Sequence, residues 1–140
     1  MKAIILVGGE ATRLLPLTCN TPKAVVPVLN IPFLEHVLRH LRTHQITDIT
    51  LALSHRAQPI QSYLGDGRQL NISVTYTLED TLRGTAGAVK MSEKNLNRTF
   101  LVLNGDIFTD LDISAMIAFH RERKANATIA LTPVADPTSY

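Results

Sequence analysis

The sequence predicts an α/β fold in which a mostly parallel β-sheet is covered by helices on both faces. Short apolar, β-branched runs recur along the 140 residues, and stretches with helical periodicity lie between most of them. This alternation is typical of a three-layer α/β arrangement. Ligands of such sheets bind beyond the carboxyl ends of the strands, so the residues that follow each predicted strand are the first candidates for a functional site.

Five segments have the composition of buried strands, being short, apolar and rich in β-branched residues. They are Lys2–Val7, Asp48–Leu53, Ile72–Leu78, Phe100–Asn104 and Ala127–Val134. Gly8-Gly9 follows the first of them and Gly105-Asp106 follows the fourth, so both of these strands end at residues that form turns.

The clearest helix begins at Pro32, a residue favoured in the first turn of a helix. Apolar residues then recur at three- and four-residue spacings on one face: Phe33, Leu34, Val37, Leu38 and Leu41. The histidines among and just after them, His36, His40 and His44, are interpreted as solvated or hydrogen-bonded surface residues.

Three further helices are predicted from their ends. The second runs from about Gln58 to Leu64 and stops at the turn residues Gly65-Asp66-Gly67. The third begins near Thr85. The fourth has its N-cap at Asp112 or Ser114 and finishes in a charged, solvated segment that ends at Lys124.

Composition excludes several classes of protein. A formal charge of +2 is too small to indicate a nucleic-acid groove or an anionic membrane surface. No apolar run approaches the roughly 18 residues of a transmembrane helix. Cys19 is the single cysteine, so no internal disulfide can form. We therefore expect a cytoplasmic protein of about one domain, with neither membrane nor nucleic acid among its partners.

The first 23 residues predict a nucleotide site. The apolar run Ala3–Val7 leads into Gly8-Gly9-Glu10-Ala11-Thr12-Arg13-Leu14, and Pro22-Lys23 follows. Two glycines let backbone N–H groups approach an anion, while Arg13 and Lys23 supply positive charge for phosphates. The loop lacks the P-loop spacing and the Gly-x-Gly-x-x-Gly spacing, which weakens the interpretation as a P-loop NTPase, a kinase or an NAD-dependent enzyme.

This stretch resembles the GGxGTRLxPLT…PKxxxPV signature of the sugar-nucleotide pyrophosphorylases, which are nucleotidyltransferases that make NDP-sugars. The resemblance continues along nearly the whole chain, through Pro27-Val28, Pro32, His36, Gly84-Thr85-Ala86-Gly87 and Asn104-Gly105-Asp106. It is strongest to the mannose-1-phosphate guanylyltransferase branch. The resemblance implies a Rossmann-like nucleotidyltransferase fold, with residues 1–140 forming the nucleotide-binding half and with the sugar-binding half and any C-terminal β-helix absent.

The resemblance also implies the reaction and its catalytic residues. A sugar 1-phosphate attacks the α-phosphorus of a nucleoside triphosphate and pyrophosphate leaves, so catalysis depends on cations placed around the phosphates. Arg13 and Lys23 are the expected cations. Asp106, at the end of a predicted strand, is the expected ligand of Mg²⁺ and the third catalytic residue. Asp106 could also be an ordinary turn aspartate, and Asp112 is explained as a helix cap.

The nucleotide itself is expected to contact Leu6 in the first predicted strand and residues that follow the first and third predicted strands: Gly8, Gly9, Glu10, Ala11, Thr12, Glu79, Gly84 and Thr85. Glu79 lies at the family's base-reading position. Its two carboxylate oxygens only accept hydrogen bonds, which suits the adjacent N–H donors of guanine, so GTP is the expected substrate. Ala11 departs from the signature, which has glycine there, and a positive φ at that residue would cost roughly 1 kcal/mol.

Two alternatives stay open. The chain could be a non-catalytic nucleotide-binding or regulatory module, or a thymidylyl- or uridylyltransferase that uses glucose 1-phosphate. We also expect a homo-oligomer, because the predicted strand at Ala127–Val134 would otherwise present an exposed edge.

Overall fold

The computed structural model describes residues 1–9, 12–54, 57–79, 81, 84–93, 96, 98–134, 136 and 138. The chain divides into two compact units, Met1–Asp110 and Leu111–Tyr140. The helices and strands of the described residues follow in chain order: β1 (Lys2–Val7), β2 (Pro27–Val28), β3 (Ile31–Pro32), α1 (Phe33–Thr43), β4 (Asp48–Leu53), α2 (Ala57–Leu64), β5 (Ser73–Leu78), α3 (Gly84–Met91), β6 (Phe100–Asn104) and α4 (Ile113–Glu122).

The first unit is built on a parallel sheet with the strand order β5-β4-β1-β6. Its central strands β1 and β4 are almost continuously apolar because both of their faces are buried. On one face, Ile4 and Ala52 form a cluster with Ala88 of α3. Alternate residues such as Ile5 and Leu51 point to the opposite face and are also fully buried. The α/β fold with a parallel sheet is therefore confirmed.

Helix α1 follows Pro32 as predicted and buries the face that carries Leu34, Val37, Leu38 and Leu41. Glu35 is buried as well. Its Oε1 atom lies 2.6 Å from Arg39 Nη2, and its Oε2 atom accepts a hydrogen bond from the Tyr63 hydroxyl of α2. Burial raises the pKa of Glu35, but these donors outweigh it and the net pKa is lowered. The cluster ties α1 to α2.

A two-stranded antiparallel hairpin, β2 with β3, precedes α1. The His36 ring nitrogen Nε2 donates to the Val28 carbonyl oxygen at 2.9 Å, so His36 holds the hairpin against the first turn of α1. His36 is thus hydrogen-bonded, in agreement with its interpretation as a solvated or hydrogen-bonded surface residue.

The predicted helix ends also agree with the structure. Helix α2 stops at Gly65, whose φ of +54° is a left-handed conformation suited to glycine. In the second unit, Asp112 caps α4 by accepting a hydrogen bond from the Ala115 amide at 2.9 Å, which decides between Asp112 and Ser114. Within the described residues, no helix combines the length and the apolar character needed to cross a bilayer.

The predicted strand at Ala127–Val134 is wrong, because these residues form no strand. Ile129 and Leu131 are 78% and 90% exposed. A β-branched composition produces a strand only where a neighbouring strand accepts and donates the backbone hydrogen bonds. The described part of residues 111–140 contains no strand that could serve as that neighbour.

Candidate functional site

A cavity of about 290 Å³ lies at the carboxyl edge of the sheet, close to the lower limit of ordinary ligand pockets. Residues that directly follow three parallel strands line it. Gly8 and Gly9 follow β1, Ser54 follows β4, and Gly105-Asp106 follows β6. Leu6 of β1 also lines the cavity. This is the edge at which α/β sheets bind their ligands.

Glycine is strongly favoured at two of these positions. Gly9 has a φ of +109°, which residues with a Cβ rarely adopt. A Cβ on Gly105 would lie 2.9 Å from Val7 Cγ2 and 3.1 Å from the Leu6 carbonyl oxygen. The Gly105 amide donates to that same oxygen at 2.8 Å. This close approach brings Asp106 beside the end of β1.

Lys23 and Asp106 meet at the cavity although they are 83 residues apart in sequence. Pro22 is extended, with φ −56° and ψ 139°, and Lys23 begins a short helical turn after it. The ammonium Nζ lies 2.9 Å from Asp106 Oδ2, and the two side chains are 36% and 52% exposed. The structure therefore joins the predicted cation and the predicted carboxylate in one half-exposed ion pair.

Thr12 and Arg13 belong to a helical turn, Thr12–Leu14, that follows the glycine loop. Thr12 lines the cavity, whereas Arg13 is exposed and is not part of the lining. Glu10 and Ala11 lie outside the described residues, so the strain expected at Ala11 stays a prediction. The sequence-predicted loop thus contributes Gly8, Gly9 and Thr12 to the cavity itself.

Glu79 follows β5 on the same edge of the sheet. Its amide donates to the Leu53 carbonyl oxygen of β4 at 2.8 Å, while its side-chain oxygen Oε1 is buried and accepts no hydrogen bond from the described residues. Glu79 is not part of the cavity lining. Gly84, with a φ of +68°, and Thr85 begin α3, are exposed and also lie outside the lining.

The donors at this edge fit Mg²⁺ brought by a polyphosphate. The described residues contain no group of three or more His, Cys, Asp or Glu side chains that could hold a metal by themselves. Asp106 offers one half-exposed carboxylate at the cavity. Protein-bound Mg²⁺ commonly takes one or two carboxylates and completes its shell with phosphates and water.

The sequence interpretation missed several polar residues of the cavity, among them Thr18, Thr21 and Ser54. Thr18 is the last residue of the GGxGTRLxPLT half of the quoted signature, which could have indicated it, and Thr21 directly precedes Pro22-Lys23. Neither threonine follows a strand. Ser54 directly follows β4, so the rule that ligands bind beyond strand ends could have found it. No charge or glycine spacing marks any of the three.

Comparisons with known proteins agree with this geometry. The sequence profile of the family described as "Nucleotidyl transferase" matches residues 2–140. Mannose-1-phosphate guanylyltransferase of Mycobacterium tuberculosis is 34% identical over 141 residues, which are 100% of this chain and 39% of that protein. UTP–glucose-1-phosphate uridylyltransferase of Synechocystis is 38% identical, over 92% of this chain and 36% of that protein. The chain thus spans less than half the length of these relatives.

A solved structure also superimposes on the chain. HddC from Yersinia pseudotuberculosis, crystallised in complex with GMP-PN, aligns with a TM-score of 0.76 and 31% identity. The alignment covers 85% of this chain and 53% of HddC.

Proposed function

Because this chain belongs to the nucleotidyl transferase family, we propose that it forms the nucleotide-binding part of a sugar-1-phosphate nucleotidyltransferase that uses GTP and mannose 1-phosphate. One observation carries the proposal. The backbone of Gly8-Gly9, the ammonium of Lys23 and the carboxylate of Asp106 converge on one cavity at the carboxyl edge of a parallel sheet. Backbone amides and a cation bind phosphate, and a carboxylate holds the metal that accompanies it.

In the proposed reaction, a phosphate oxygen of the sugar 1-phosphate forms a new bond to the α-phosphorus. The bond between that phosphorus and the oxygen that bridges to the β-phosphorus breaks, and pyrophosphate leaves with the electron pair. Negative charge grows on the phosphate oxygens, so Lys23 exchanges its contact with Asp106 for one with phosphate. Arg13, on the exposed turn beside the glycine loop, supplies a second cation that can fork onto two oxygens.

Asp106 would hold magnesium together with the polyphosphate, and the metal would neutralise phosphate charge there. Once Lys23 has turned to phosphate, the Asp106 carboxylate is left without its present counter-charge. Its role in this proposal is to keep the triphosphate at the end of β6, next to the amides of Gly8 and Gly9.

The choice of GTP rests on Glu79. A buried carboxylate oxygen without a hydrogen-bond partner costs free energy, and a guanine offers N–H donors that would satisfy it. Gly84 and Thr85 lie a few residues further on, where exposed backbone at the start of α3 can approach the base. The M. tuberculosis guanylyltransferase and the HddC complex with GMP-PN support the same base.

A uridylyltransferase is the second candidate, supported by the Synechocystis relative. Uracil and thymine would set carbonyl oxygens against the Glu79 carboxylate, which favours guanine instead. A non-catalytic nucleotide-binding module is a third candidate, because Lys23 and Asp106 at the cavity would serve binding as well as turnover. Release of pyrophosphate distinguishes an enzyme from such a module.

The proposal extends to assembly and location. We propose a homo-oligomer, for which the exposed Ile129 and Leu131 offer apolar surface, although the strand edge first expected at this segment is absent. A cytoplasmic location fits a nucleoside triphosphate substrate and stays a prediction.

Calorimetric titration of this 140-residue chain with GTP, UTP, dTTP and ATP in the presence of Mg²⁺ tests the proposal. A parallel assay measures pyrophosphate release after addition of mannose 1-phosphate or glucose 1-phosphate. Selective binding of GTP supports the assigned nucleotide site, and release of pyrophosphate with mannose 1-phosphate supports turnover by the chain itself. Failure of all four nucleotides to bind would refute the proposed site.

A further inference from the structure

Ser54 is a polar residue of the cavity that the proposed function does not use. It directly follows β4, is only 8% exposed and lines the cavity. In the described part of the chain, no hydrogen bond is formed by its side-chain hydroxyl. Because Ser54 belongs to the cavity lining, its hydroxyl can hydrogen-bond a ligand or water there.

The strand register sets Ser54 between the two ends of the proposed nucleotide site. Val7, Leu53 and Leu78 are register partners, so the next residues, Gly8, Ser54 and Glu79, follow one another across neighbouring strands. A Cβ on Gly8 would lie 3.8 Å from Ser54 Oγ, which confirms that these two residues are adjacent. With about 4.8 Å between strands, Glu79 and Gly8 are separated by roughly 10 Å.

We infer that Ser54 hydrogen-bonds a ribose hydroxyl of the bound nucleotide, an inference that rests on the proposed function. Glu79 is the proposed partner of the base, and Gly8 the proposed partner of the phosphates. The ribose is the group that joins base to phosphate, so it lies over the strand between them, which is β4. A serine hydroxyl both donates and accepts, as a sugar hydroxyl does, so the two can pair in either direction.

The experiment removes this hydrogen bond in two ways, by deleting a hydroxyl of the ribose and by deleting the hydroxyl of Ser54. Calorimetry with Mg²⁺ measures the affinity of the wild-type chain and of Ser54→Ala for GTP, 2′-deoxyGTP and 3′-deoxyGTP. We expect the wild type to bind one deoxy nucleotide about three- to tenfold more weakly than GTP, the usual range for one neutral hydrogen bond. Ser54→Ala should lose a similar factor for GTP and should no longer discriminate against that deoxy nucleotide.

Ser73→Ala is the matched control, because Ser73 is an exposed serine at the amino end of β5, at the opposite edge of the sheet. It should bind all three nucleotides as the wild type does. The inference is overturned if Ser54→Ala binds GTP as well as the wild type, or if it weakens GTP and both deoxy nucleotides by equal factors. A wild-type chain that binds none of the three would refute the proposed function as well, whereas the other two results refute the role of Ser54 alone.

Discussion

The two halves of the carboxyl edge of the sheet differ in how their polar groups are satisfied. At the β1 and β6 half, Lys23 and Asp106 pair with each other at 2.9 Å. At the β4 and β5 half, the Glu79 Oε1 atom is buried and has no hydrogen-bond partner in the described structure, and the Ser54 side chain lines the cavity. A ligand must therefore exchange existing contacts at the first half, but it adds contacts at the second.

This difference assigns affinity and specificity to different halves of the edge. When Lys23 leaves the half-exposed pair with Asp106, it forms charge-assisted contacts with phosphate. Every nucleoside triphosphate offers these phosphates. Buried polar groups at the other half are satisfied only by a ligand with matching donors and acceptors, and a wrong ligand leaves them unpaired. We expect substitutions at the first half to weaken all nucleotides and those at the second to change their ranking.

The largest effect is expected for Lys23→Met. It removes a charge-assisted contact to phosphate, so affinity for all nucleoside triphosphates should fall by roughly 10- to 100-fold, corresponding to about 1.5–3 kcal/mol. Folding stability should change by less than about 1 kcal/mol, because the pair is half exposed. Calorimetry and thermal denaturation measure the two quantities.

Lys2→Met is the matched control for that variant. Lys2 Nζ pairs with Asp48 Oδ1 at 3.3 Å at the amino edge of the same sheet, far from the cavity. Lys2→Met changes the net charge of the protein by the same amount as Lys23→Met. Equal losses of affinity in the two variants would mean that only net charge matters and that Lys23 has no specific contact.

Glu79→Gln should change the ranking of nucleotides. The amide replaces an acceptor-only carboxylate with one acceptor and one donor, so GTP should bind about 3- to 30-fold more weakly while UTP and dTTP improve relative to it. Glu93→Gln, an exposed glutamate paired with Lys90 on the surface, should leave the ranking unchanged. If Glu79→Gln weakens all nucleotides equally, Glu79 does not read the base.

Gly9→Ala tests the backbone of the phosphate loop. The φ of +109° disfavours any residue with a Cβ, although no atom lies within 4 Å of where that Cβ would be. We expect a loss of about 1 kcal/mol in stability and a several-fold loss in nucleotide affinity. Gly65→Ala adds comparable strain at a φ of +54° at the end of α2, and it should lower stability without changing affinity. Loss of affinity in both variants would show that strain acts through the fold as a whole.

The smallest effect is expected away from the edge, for Tyr63→Phe. Burial raises the pKa of Glu35, yet the hydrogen bonds from Tyr63 and Arg39 lower it overall. A lowered folded-state pKa stabilises the protein above the unfolded pKa of about 4.5, and this contribution is lost as the pH falls through the folded value. Loss of the Tyr63 hydrogen bond should reduce this stabilisation by about 1 kcal/mol or less, since Tyr63 is 40% exposed.

Acid unfolding followed by circular dichroism should therefore have its midpoint at a higher pH in Tyr63→Phe than in the wild type. Nucleotide affinity at neutral pH should be unchanged. An unchanged midpoint would mean that the hydroxyl of Tyr63 contributes nothing to the ionised form of Glu35.

The sequence was sufficient where local signals determine structure. The strands at Lys2–Val7, Asp48–Leu53 and Phe100–Asn104 have the predicted bounds, because an apolar run and the turn residues after it are both local. The prediction of a strand at Ala127–Val134 was wrong because strand formation depends on a partner strand elsewhere in the chain. Composition alone cannot reveal such a partner.

The same distinction applies to the site. Gly8 and Gly9 were found from their own spacing, whereas the meeting of Lys23 with Asp106 depends on the register between β1 and β6. Ser54 directly follows a predicted strand, so the strand-end rule could have indicated it, but no charge or glycine spacing singles out this one serine. Its importance appears only when the neighbours on β1 and β5 are known.

In the proposed complex, a nucleotide lies across the carboxyl edge, with its phosphates at β1 and β6 and its base at β5. Amide chemical shifts of the ¹⁵N-labelled chain during titration with GTP and Mg²⁺ test this most directly. We expect the largest changes at Gly8, Gly9, Gly105 and Glu79, with little change at Lys2 and Asp48 on the amino edge. Changes confined to other surfaces, or saturating changes at Gly8 and Gly105 without any at Glu79, would contradict it.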